Sequence, residues 1–154
     1  MSEQKEKAKS SEYEFIKLEI ITKDGNIVFS NNVAMVNFPG VEGVFTVMAG
    51  HTQFLSTLRT GEIKYKLNDE DLIYQYAAIV GGFCEVNGGQ INVITNACEF
   101  AGKIDVKRAE KSKQRAEERL KNITEDIDAK RAEVSLMRAI NRISVANSFR
   151  ASNK

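Results

Sequence analysis

Hydrophobic residues alternate with polar ones through the first two thirds of the chain. Ile63, Tyr65 and Leu67, for example, are separated by single lysines, and turns rich in Gly, Asn and Asp interrupt the pattern at short intervals. Alternation of this kind is typical of strands with one buried face. The predicted strands read, in order, EFIKLEII, IVFS, VAMVNF, VFTVM, IKYKL, LIYQYAAIV, FCEV and INVIT. So many short strands predict an antiparallel β-sandwich or flattened barrel.

The pattern changes to a helical period after Gly102, where glycine disappears and Ala, Arg, Lys and Glu predominate. Asp105 has the side chain of a good N-cap, and an acidic residue there also suits the dipole of a helix. We expect this first helix to end near Lys121. The change of period marks a boundary between two modules.

A second helix follows after a short connection. Asn122 with Glu125 three residues later, or Thr124 alone, can cap its start, and the helical pattern reaches about Ala146. Since the connection is short, the two helices are predicted to form an antiparallel hairpin.

Each predicted helix carries one narrow apolar stripe. The stripes consist of Ala109, Ala116, Leu120 and Ile123 on the first helix and Ala132, Leu136, Ile140 and Ile143 on the second. The two stripes can close on each other. Because they contain so much alanine, the contact between them is thin, and we expect a marginally stable, mobile hairpin.

These patterns divide the chain into four segments. Residues 1–13 are predicted to be a disordered tail, 14–102 a β-sandwich domain, 103–147 a helical hairpin domain and 148–154 a flexible C-terminus. The predicted fold class is therefore α+β, with an N-terminal antiparallel β-sandwich or flattened barrel followed by a C-terminal antiparallel helical hairpin.

Composition narrows the function classes. The chain of 154 residues is 42% hydrophobic and 28% charged, and no stretch of eighteen apolar residues could span a membrane. The N-terminal segment lacks the apolar region of a secretory signal. Two cysteines without a CxxC spacing and a single histidine fit a reducing compartment better than a disulfide framework or a zinc site.

The charge is divided unevenly between the two modules. Residues 1–104 hold 9 Lys and Arg against 13 Asp and Glu, a net charge of −4, whereas residues 105–154 hold 13 against 8, a net charge of +5. The helical module is therefore expected to meet an acidic partner or an anionic ligand.

Arginines are the most informative residues of the helical module. They are Arg108, Arg115 and Arg119 on the first helix and Arg131, Arg138 and Arg142 on the second. The pair Arg138 and Arg142, four residues apart, costs a few tenths of a kcal/mol in an isolated helix unless an anion relieves it. A solvated surface and an anion site both remain open at this point. Nucleic acid fits less well, because the basic helices lack aromatic residues that could stack on bases.

Other residues with possible chemistry favour structural roles. His51 follows a glycine and has no Ser, Asp or Cys partner in view, and the segment VGGFCEVNGG lacks the Lys-Ser/Thr of a P-loop. We expect its glycines to lie at a strand bend and a hairpin turn. Cys84 and Cys98 are interpreted as small buried hydrophobes. We predict no catalytic residue and no metal site.

Several sequence segments together resemble the epsilon subunit of the bacterial F-type ATP synthase. They read KLEIITKDGNIVFSNNVAMVNFPGVEGVFTVMAGH, AAIVGGFCEVNGGQINVITNACEFA, IDVKRAE and MRAINRISVA. The resemblance covers about residues 14–147 and keeps the order of these segments. One departure is Met48-Ala49, where the family usually carries Leu-Pro; the loss of proline frees φ and restores an N–H there.

The resemblance implies a non-catalytic part of the ATP synthase rotor, on the cytoplasmic side of the bacterial inner membrane. Its expected partners are the gamma subunit, the c-ring and the catalytic alpha/beta head, with no nucleic acid. Its helices would restrain ATP hydrolysis in a complex that couples ATP synthesis to proton transport. The alternative from the residues alone is a β-sandwich adaptor whose basic arm binds an acidic protein or nucleic acid.

The resemblance also implies a regulatory ATP site in the folded hairpin, with ATP as a ligand and no required cofactor. The matching positions are Glu99, Ile104, Asp105, Arg108, Ala109, Arg115, Arg138 and Arg142. Guanidinium groups suit this ligand, because they bind phosphate in a bidentate manner and stack on a base.

Overall fold

The computed structural model describes residues 14–125 and 127–154. Within these ranges the strands are β1 (Ile16–Thr22), β2 (Ile27–Val33), β3 (Met35–Gly40), β4 (Gly43–Met48), β5 (Phe54–Leu58), β6 (Gly61–Lys66), β7 (Gln75–Ile79), β8 (Gly82–Asn87), β9 (Gln90–Thr95) and β10 (Cys98–Phe100). A 3-10 turn over Ala101–Lys103 leads to two helices, α1 (Val106–Lys121) and α2 (Ala129–Ser152). The segment 1–13, predicted to be a disordered tail, lies outside the described residues.

The strands form one continuous sheet that folds over on itself. Their order is β10-β7-β6-β3-β5-β8-β9-β1-β2, with β4 paired to β3. All the pairings are antiparallel except that of β1 with β9. The two ends of the sheet meet where Phe29 of β2 lies 5.1 Å from the Tyr65 ring and 6.0 Å from the Phe100 ring. The predicted α+β fold of a sandwich followed by two helices is confirmed.

Inward-facing residues of the strands fill a single core. Its members are Ile16, Leu18, Ile20, Val33, Val36, Phe38, Val47, Leu58, Ile63, Tyr65, Ala77, Ile79, Cys84, Val86, Ile91 and Val93. All of them come from the strands, so the sandwich encloses its own core without help from the helices.

Two strands were not predicted, and one was predicted too long. Sequence alternation gave no strand for β5 or β10, and the strand predicted from Leu72 begins only at Gln75 as β7. Leu72 and Ile73 instead lie exposed in the loop before it. β10 has three residues and exists through its pairing with β7, which no local pattern records.

The glycines of the VGGFCEVNGG segment have the predicted structural roles. Gly82 begins β8 with a φ of +133°, and a Cβ there would lie 2.0 Å from the Ile94 carbonyl oxygen. Gly88 and Gly89 turn the chain between β8 and β9 with φ values of +57° and +81°. Only glycine allows the close strand approach at Gly82.

The first helix begins and ends as predicted, but the second does not. Asp105 caps α1, since its Oδ1 accepts a hydrogen bond from the Arg108 N–H at 3.0 Å. The α2 cap is Asp128 rather than Asn122 or Thr124, because the Oδ1 of Asp128 accepts from a backbone N–H of the first turn of α2. Its carboxylate also stabilises the positive end of the helix dipole.

The second helix is also longer than predicted. It continues to Ser152, past the expected end near Ala146, so the predicted flexible segment 148–154 is helical over most of its length. Phe149 explains the extension, because its ring packs edge-on against Tyr76 of β7 at 6.4 Å. Tertiary packing at this position stabilises the last two turns of the helix.

The hairpin seam consists chiefly of alanine. Its buried members are Ala109 and Ala116 on α1 and Ala132 and Ala139 on α2, two pairs at a spacing of seven. Leu120, Leu136 and Ile143 are half-buried, while Ile123 and Ile140, predicted for the apolar stripes, are 60% and 47% exposed. Small residues at the closest approach bring the helices together and leave these larger side chains outside.

The hairpin rests on the sandwich mainly through α2. A second, smaller core joins the outer face of the sheet, the 3-10 turn and α2, and its buried members are Tyr76, Ala78, Ala101, Ile104, Val145 and Ala146. The helix α1 contacts chiefly α2. Docking of the hairpin therefore depends on one modest apolar contact and the polar contacts around it.

Candidate functional site

A cavity of about 360 Å³ lies between α2 and the edge of the sheet formed by β7 and β10. Its lining residues are Ala78, Val80, Ala97, Cys98 and Glu99 from the sandwich and Arg138, Asn141 and Arg142 from α2. The sandwich side is mostly apolar, whereas the helix side is cationic. A ligand with both a flat apolar part and an anionic part matches this arrangement.

Glu99 and Arg142 form an ion pair across the cavity. The Arg142 Nε donates to the Glu99 Oε2 at 2.6 Å, and each side chain is 31% exposed. Arg138 lies one helical turn before Arg142 and lines the same cavity. Glu99 thus balances one of two neighbouring guanidinium groups, and the site as a whole retains a positive charge.

The structure brings together only part of the predicted ATP site. Glu99, Arg138 and Arg142 line the cavity. Ile104 is buried in the smaller core and Ala109 in the hairpin seam, so both act here as packing residues.

Three other predicted residues lie at the N-cap of α1 or on α1 itself, outside this cavity. Asp105 is engaged in the helix cap, and Arg108 is exposed in the first turn. Arg115 lines a separate cavity of about 220 Å³ together with Ser112, Ala116, Arg119 and Ser135. Its Nε donates to the Lys111 carbonyl oxygen at 3.3 Å. These residues remain predictions as ATP ligands.

Sequence reasoning missed Asn141, which also lines the cavity. Its side-chain amide donates to the carbonyl oxygens of Gly61 at 3.0 Å and Ile79 at 3.3 Å. No sequence pattern indicates this role for Asn141, because its partners are backbone atoms of distant strands. This residue ties the helix side of the cavity to the sheet.

The cysteines have environments that suppress thiol chemistry. Burial raises the pKa of Cys84 to about 12. Burial, together with the nearby negative charge of Glu99, raises the pKa of Cys98 to about 11. Both thiols are therefore protonated at neutral pH and are poor nucleophiles. Cys84 is a core residue as predicted, whereas Cys98 is half-buried and lines the cavity.

The remaining candidate groups are dispersed. His51 is exposed next to a turn, and its backbone N–H donates to the Met48 carbonyl oxygen. This turn contains Met48-Ala49, where the family usually carries Leu-Pro. Across residues 14–125 and 127–154, no three His, Cys, Asp or Glu side chains converge as metal ligands would. Neither α1 nor α2 is long and apolar enough to cross a membrane, nor is any other helix in the part that the structure describes.

Glu62 of β6 lies partly buried where α2 rests on the sandwich. Burial raises the pKa of its carboxyl above the ordinary value of 4.5, although a hydrogen bond with Ser148 of α2 and the charge of Lys64 oppose the shift. The charged form is therefore disfavoured in the folded chain. Folding raises the pKa of Glu62, so its protonated carboxyl contributes fully to the free energy of unfolding at pH values below the ordinary pKa. This contribution is lost as pH rises through the pKa that Glu62 has in the folded chain.

We accordingly expect Glu62→Gln to remove part of the pH dependence of stability. The free energy of unfolding, measured with denaturant, should be similar for the variant and the wild type at about pH 4 and higher for the variant at about pH 7.5. Glu70→Gln, in the exposed loop before β7, is the matched control. An equal response of both variants to pH would contradict the role of Glu62.

Comparison with known proteins identifies both modules. A family model described as "ATP synthase, Delta/Epsilon chain, beta-sandwich domain" matches residues 15–101. A second, described as "ATP synthase, Delta/Epsilon chain, long alpha-helix domain", matches residues 103–147. Together the two matches span the sandwich and most of the hairpin.

Curated relatives match along nearly their whole length. The chain is 40% identical to the ATP synthase epsilon chain of Syntrophobacter fumaroxidans, over 86% of this chain and 96% of that one. It is 41% identical to the epsilon chain of Nitratidesulfovibrio vulgaris, over 83% and 92% of the two chains. The epsilon chain of Staphylococcus aureus is 37% identical, over 85% and 96%.

Solved structures with the same fold come from two mitochondrial ATP synthases. A chain of the Euglena gracilis enzyme aligns with a TM-score of 0.69 at 20% identity, covering 92% of this chain and 82% of that one. A chain in the central stalk and c-ring structure of Tetrahymena thermophila aligns with a TM-score of 0.51 at 12% identity, covering 86% and 93%. With both family models matched in order and relatives of about 40% identity along its length, this chain belongs to the ATP synthase delta/epsilon family.

Proposed function

We propose that this chain works in the rotor of a proton-translocating F-type ATP synthase, on the cytoplasmic side of the bacterial inner membrane. Its sandwich holds the gamma subunit and the c-ring, and its hairpin restrains ATP hydrolysis by the catalytic alpha/beta head. The chain itself contributes no catalytic residue. The observation that carries this proposal is the division of the molecule into a self-sufficient sandwich and a weakly attached hairpin.

The two cores support a hairpin that can leave the sandwich. Among the residues that the structure describes, the sandwich encloses sixteen buried hydrophobic residues of its own, whereas the smaller core beneath α2 has six. Several of those six are alanines, which contribute little apolar area. Since apolar burial stabilises by roughly 25 cal/mol per Å², detaching the hairpin costs far less than opening the sandwich.

The charge of the hairpin supports its contact with the catalytic head. Residues 105–154 carry a net charge of +5, and the arginines Arg108 and Arg138 stand exposed on its surface. A released hairpin therefore presents a basic helical surface that attracts an acidic partner segment.

An apolar patch on the sandwich supports its contact with another rotor subunit. Leu55, Phe83 and Ile94 are 70%, 53% and 52% exposed on the outer side of the neighbouring strands β5, β8 and β9. Phe83 and Ile94 are direct cross-strand partners. Leu55 lies opposite Glu85, diagonally across from Phe83. Exposed apolar side chains grouped on adjacent strands in this way mark a protein contact, and we assign this one to the gamma subunit.

Co-elution with the gamma subunit tests the rotor assignment. The full chain should elute with gamma from a gel-filtration column at near-physiological salt, and Phe83→Asp should weaken that association by at least about tenfold. Ile123→Asp, which places the same charge at an exposed apolar position of the hairpin connection, should bind like the wild type. Failure of the wild type to co-elute would overturn the rotor assignment, whereas equal binding of Phe83→Asp would remove the patch from it.

We also propose that the folded hairpin binds ATP in the cavity beside α2. Arg138 and Arg142 are suited to bind the phosphates, and the wall of Ala78, Val80 and Ala97 is suited to the base. The volume of about 360 Å³ lies at the lower end of the range for small-molecule sites. Part of the nucleotide therefore extends out of the cavity, in reach of further side chains of the hairpin.

ATP acts on such a hairpin by population shift. The cavity has one wall on the sheet and the other on α2, so it exists only while the hairpin is docked. A ligand of this cavity binds the docked state better than the released state and favours the former by that difference in affinity. Abundant ATP would then keep the hairpin away from the catalytic head.

A further inference from the structure

Asn141 connects α2 to the sheet where β6 begins and β7 ends. Its Nδ2 donates to the carbonyl oxygens of Gly61 at 3.0 Å and Ile79 at 3.3 Å. Gly61 and Ile79 face each other as a cross-strand pair of the β6–β7 ladder. One side-chain amide therefore spans two strands, and both of its N–H groups have a partner.

The other contacts between α2 and the sandwich specify position less closely. Val145 and Ala146 pack on Tyr76 and Ala78 by apolar contact, which has no preferred direction. The long side chain of Arg142 adapts to several placements of the helix. The short Asn141 side chain reaches both carbonyl oxygens only when α2 has one rotation and one position along the sheet.

The placement of Asn141 determines how the arginines face the cavity. Arg138 precedes it by three residues and Arg142 follows it directly, and all three residues line the cavity. Successive helical residues are about 100° apart around the axis. A rotation of α2 by a fraction of that angle would turn both guanidinium groups relative to Glu99.

We propose that Asn141 is the positioning residue of the docked hairpin. It fixes α2 at the placement where its side-chain amide donates to the carbonyl oxygens of both Gly61 and Ile79. All of these groups regain water when the hairpin leaves, so the two hydrogen bonds stabilise docking modestly. A hairpin that docks and leaves repeatedly needs contacts whose net stabilisation is modest in this way. The biological meaning of this inference rests on the proposed mobile hairpin, whereas docking is measurable on the full chain without ATP or a partner.

The test compares two isosteric substitutions on the same helix. Asn141→Asp replaces the donor with a carboxylate that faces two carbonyl oxygens, and Asn147→Asp makes the same change at an exposed position. In hydrogen exchange followed by mass spectrometry at neutral pH, Asn141→Asp should raise exchange in α2 by at least about tenfold over Asn147→Asp. Amides of β8 and β9 should remain equally protected, since the sandwich has its own core.

Acid pH provides a readout that a purely steric role would not change. Protonation gives the introduced carboxyl an O–H that can donate to one carbonyl, so the difference between the two variants should shrink as pH falls. Equal exchange of α2 in both variants at neutral pH would overturn the proposal. If Asn141→Asp also exposes β8 and β9, Asn141→Leu decides: faster exchange confined to α2 supports the proposal, and unchanged exchange overturns it.

Discussion

Arg142→Ala is expected to lower the affinity of the full chain for ATP by roughly 10- to 100-fold, the effect of losing charged hydrogen bonds to phosphate. Arg142 lines the cavity beside α2, and its Nε is already held by Glu99 at 2.6 Å. This pair leaves the terminal nitrogens of the guanidinium group for a ligand. Isothermal titration calorimetry with ATP on the isolated chain measures the change.

The matched control for this titration is Arg150→Ala. Arg150 is exposed in the last turn of the same helix, so its removal changes the net charge equally without touching the cavity. It should bind ATP like the wild type. The ATP site should be abandoned if the wild type shows no saturable binding at millimolar ATP, or if the two alanine variants bind equally well.

The same titration with Arg108→Ala separates two forms of the site. Arg108 does not line the cavity in the docked structure and is exposed in the first turn of α1. A loss of affinity in this variant would mean that bound ATP extends from the cavity toward the start of α1. Unchanged affinity would confine the site to Glu99, Arg138, Arg142 and their surroundings.

Most of the fold could be predicted because the strands and helices carry their own periodicity. Ile63 and Tyr65 alternate with lysines and are both buried, as one-sided strands require. β5 escaped prediction because its adjacent apolar residues Phe54 and Leu55 break strict alternation. The α2 boundaries also depend on tertiary context, since Phe149 extends the helix by packing on Tyr76.

The candidate site was less accessible to sequence reasoning. Glu99 and Arg142 are 43 residues apart, and no local pattern indicates that they meet; their grouping came from resemblance to a family. Asn141 was missed because its partners are backbone carbonyls 80 and 62 residues away, and a carbonyl carries no sequence signal. Side chains that bind backbone across modules are found only when the register of a helix on a sheet is known.

Removal of the hairpin is expected to raise the ATP hydrolysis rate of the assembled synthase at low ATP. A chain ending at Gly102 keeps all the strands and the sandwich core but loses α1 and α2. The rate should rise at least about threefold, the change expected if the full chain blocks hydrolysis for two thirds of the time or more. Steady-state ATPase assays of the two assembled enzymes measure it.

Two further observations decide whether such an increase has the proposed cause. The shortened chain must still co-elute with gamma, because an enzyme that has lost the whole subunit would also hydrolyse ATP faster. The increase should also diminish at high ATP, where, on the proposed function, bound nucleotide would already hold the hairpin of the full chain against the sandwich. Equal rates of both enzymes at low and at high ATP would contradict an inhibitory hairpin, and an increase that is the same at every ATP concentration would keep the inhibition but remove ATP as its regulator.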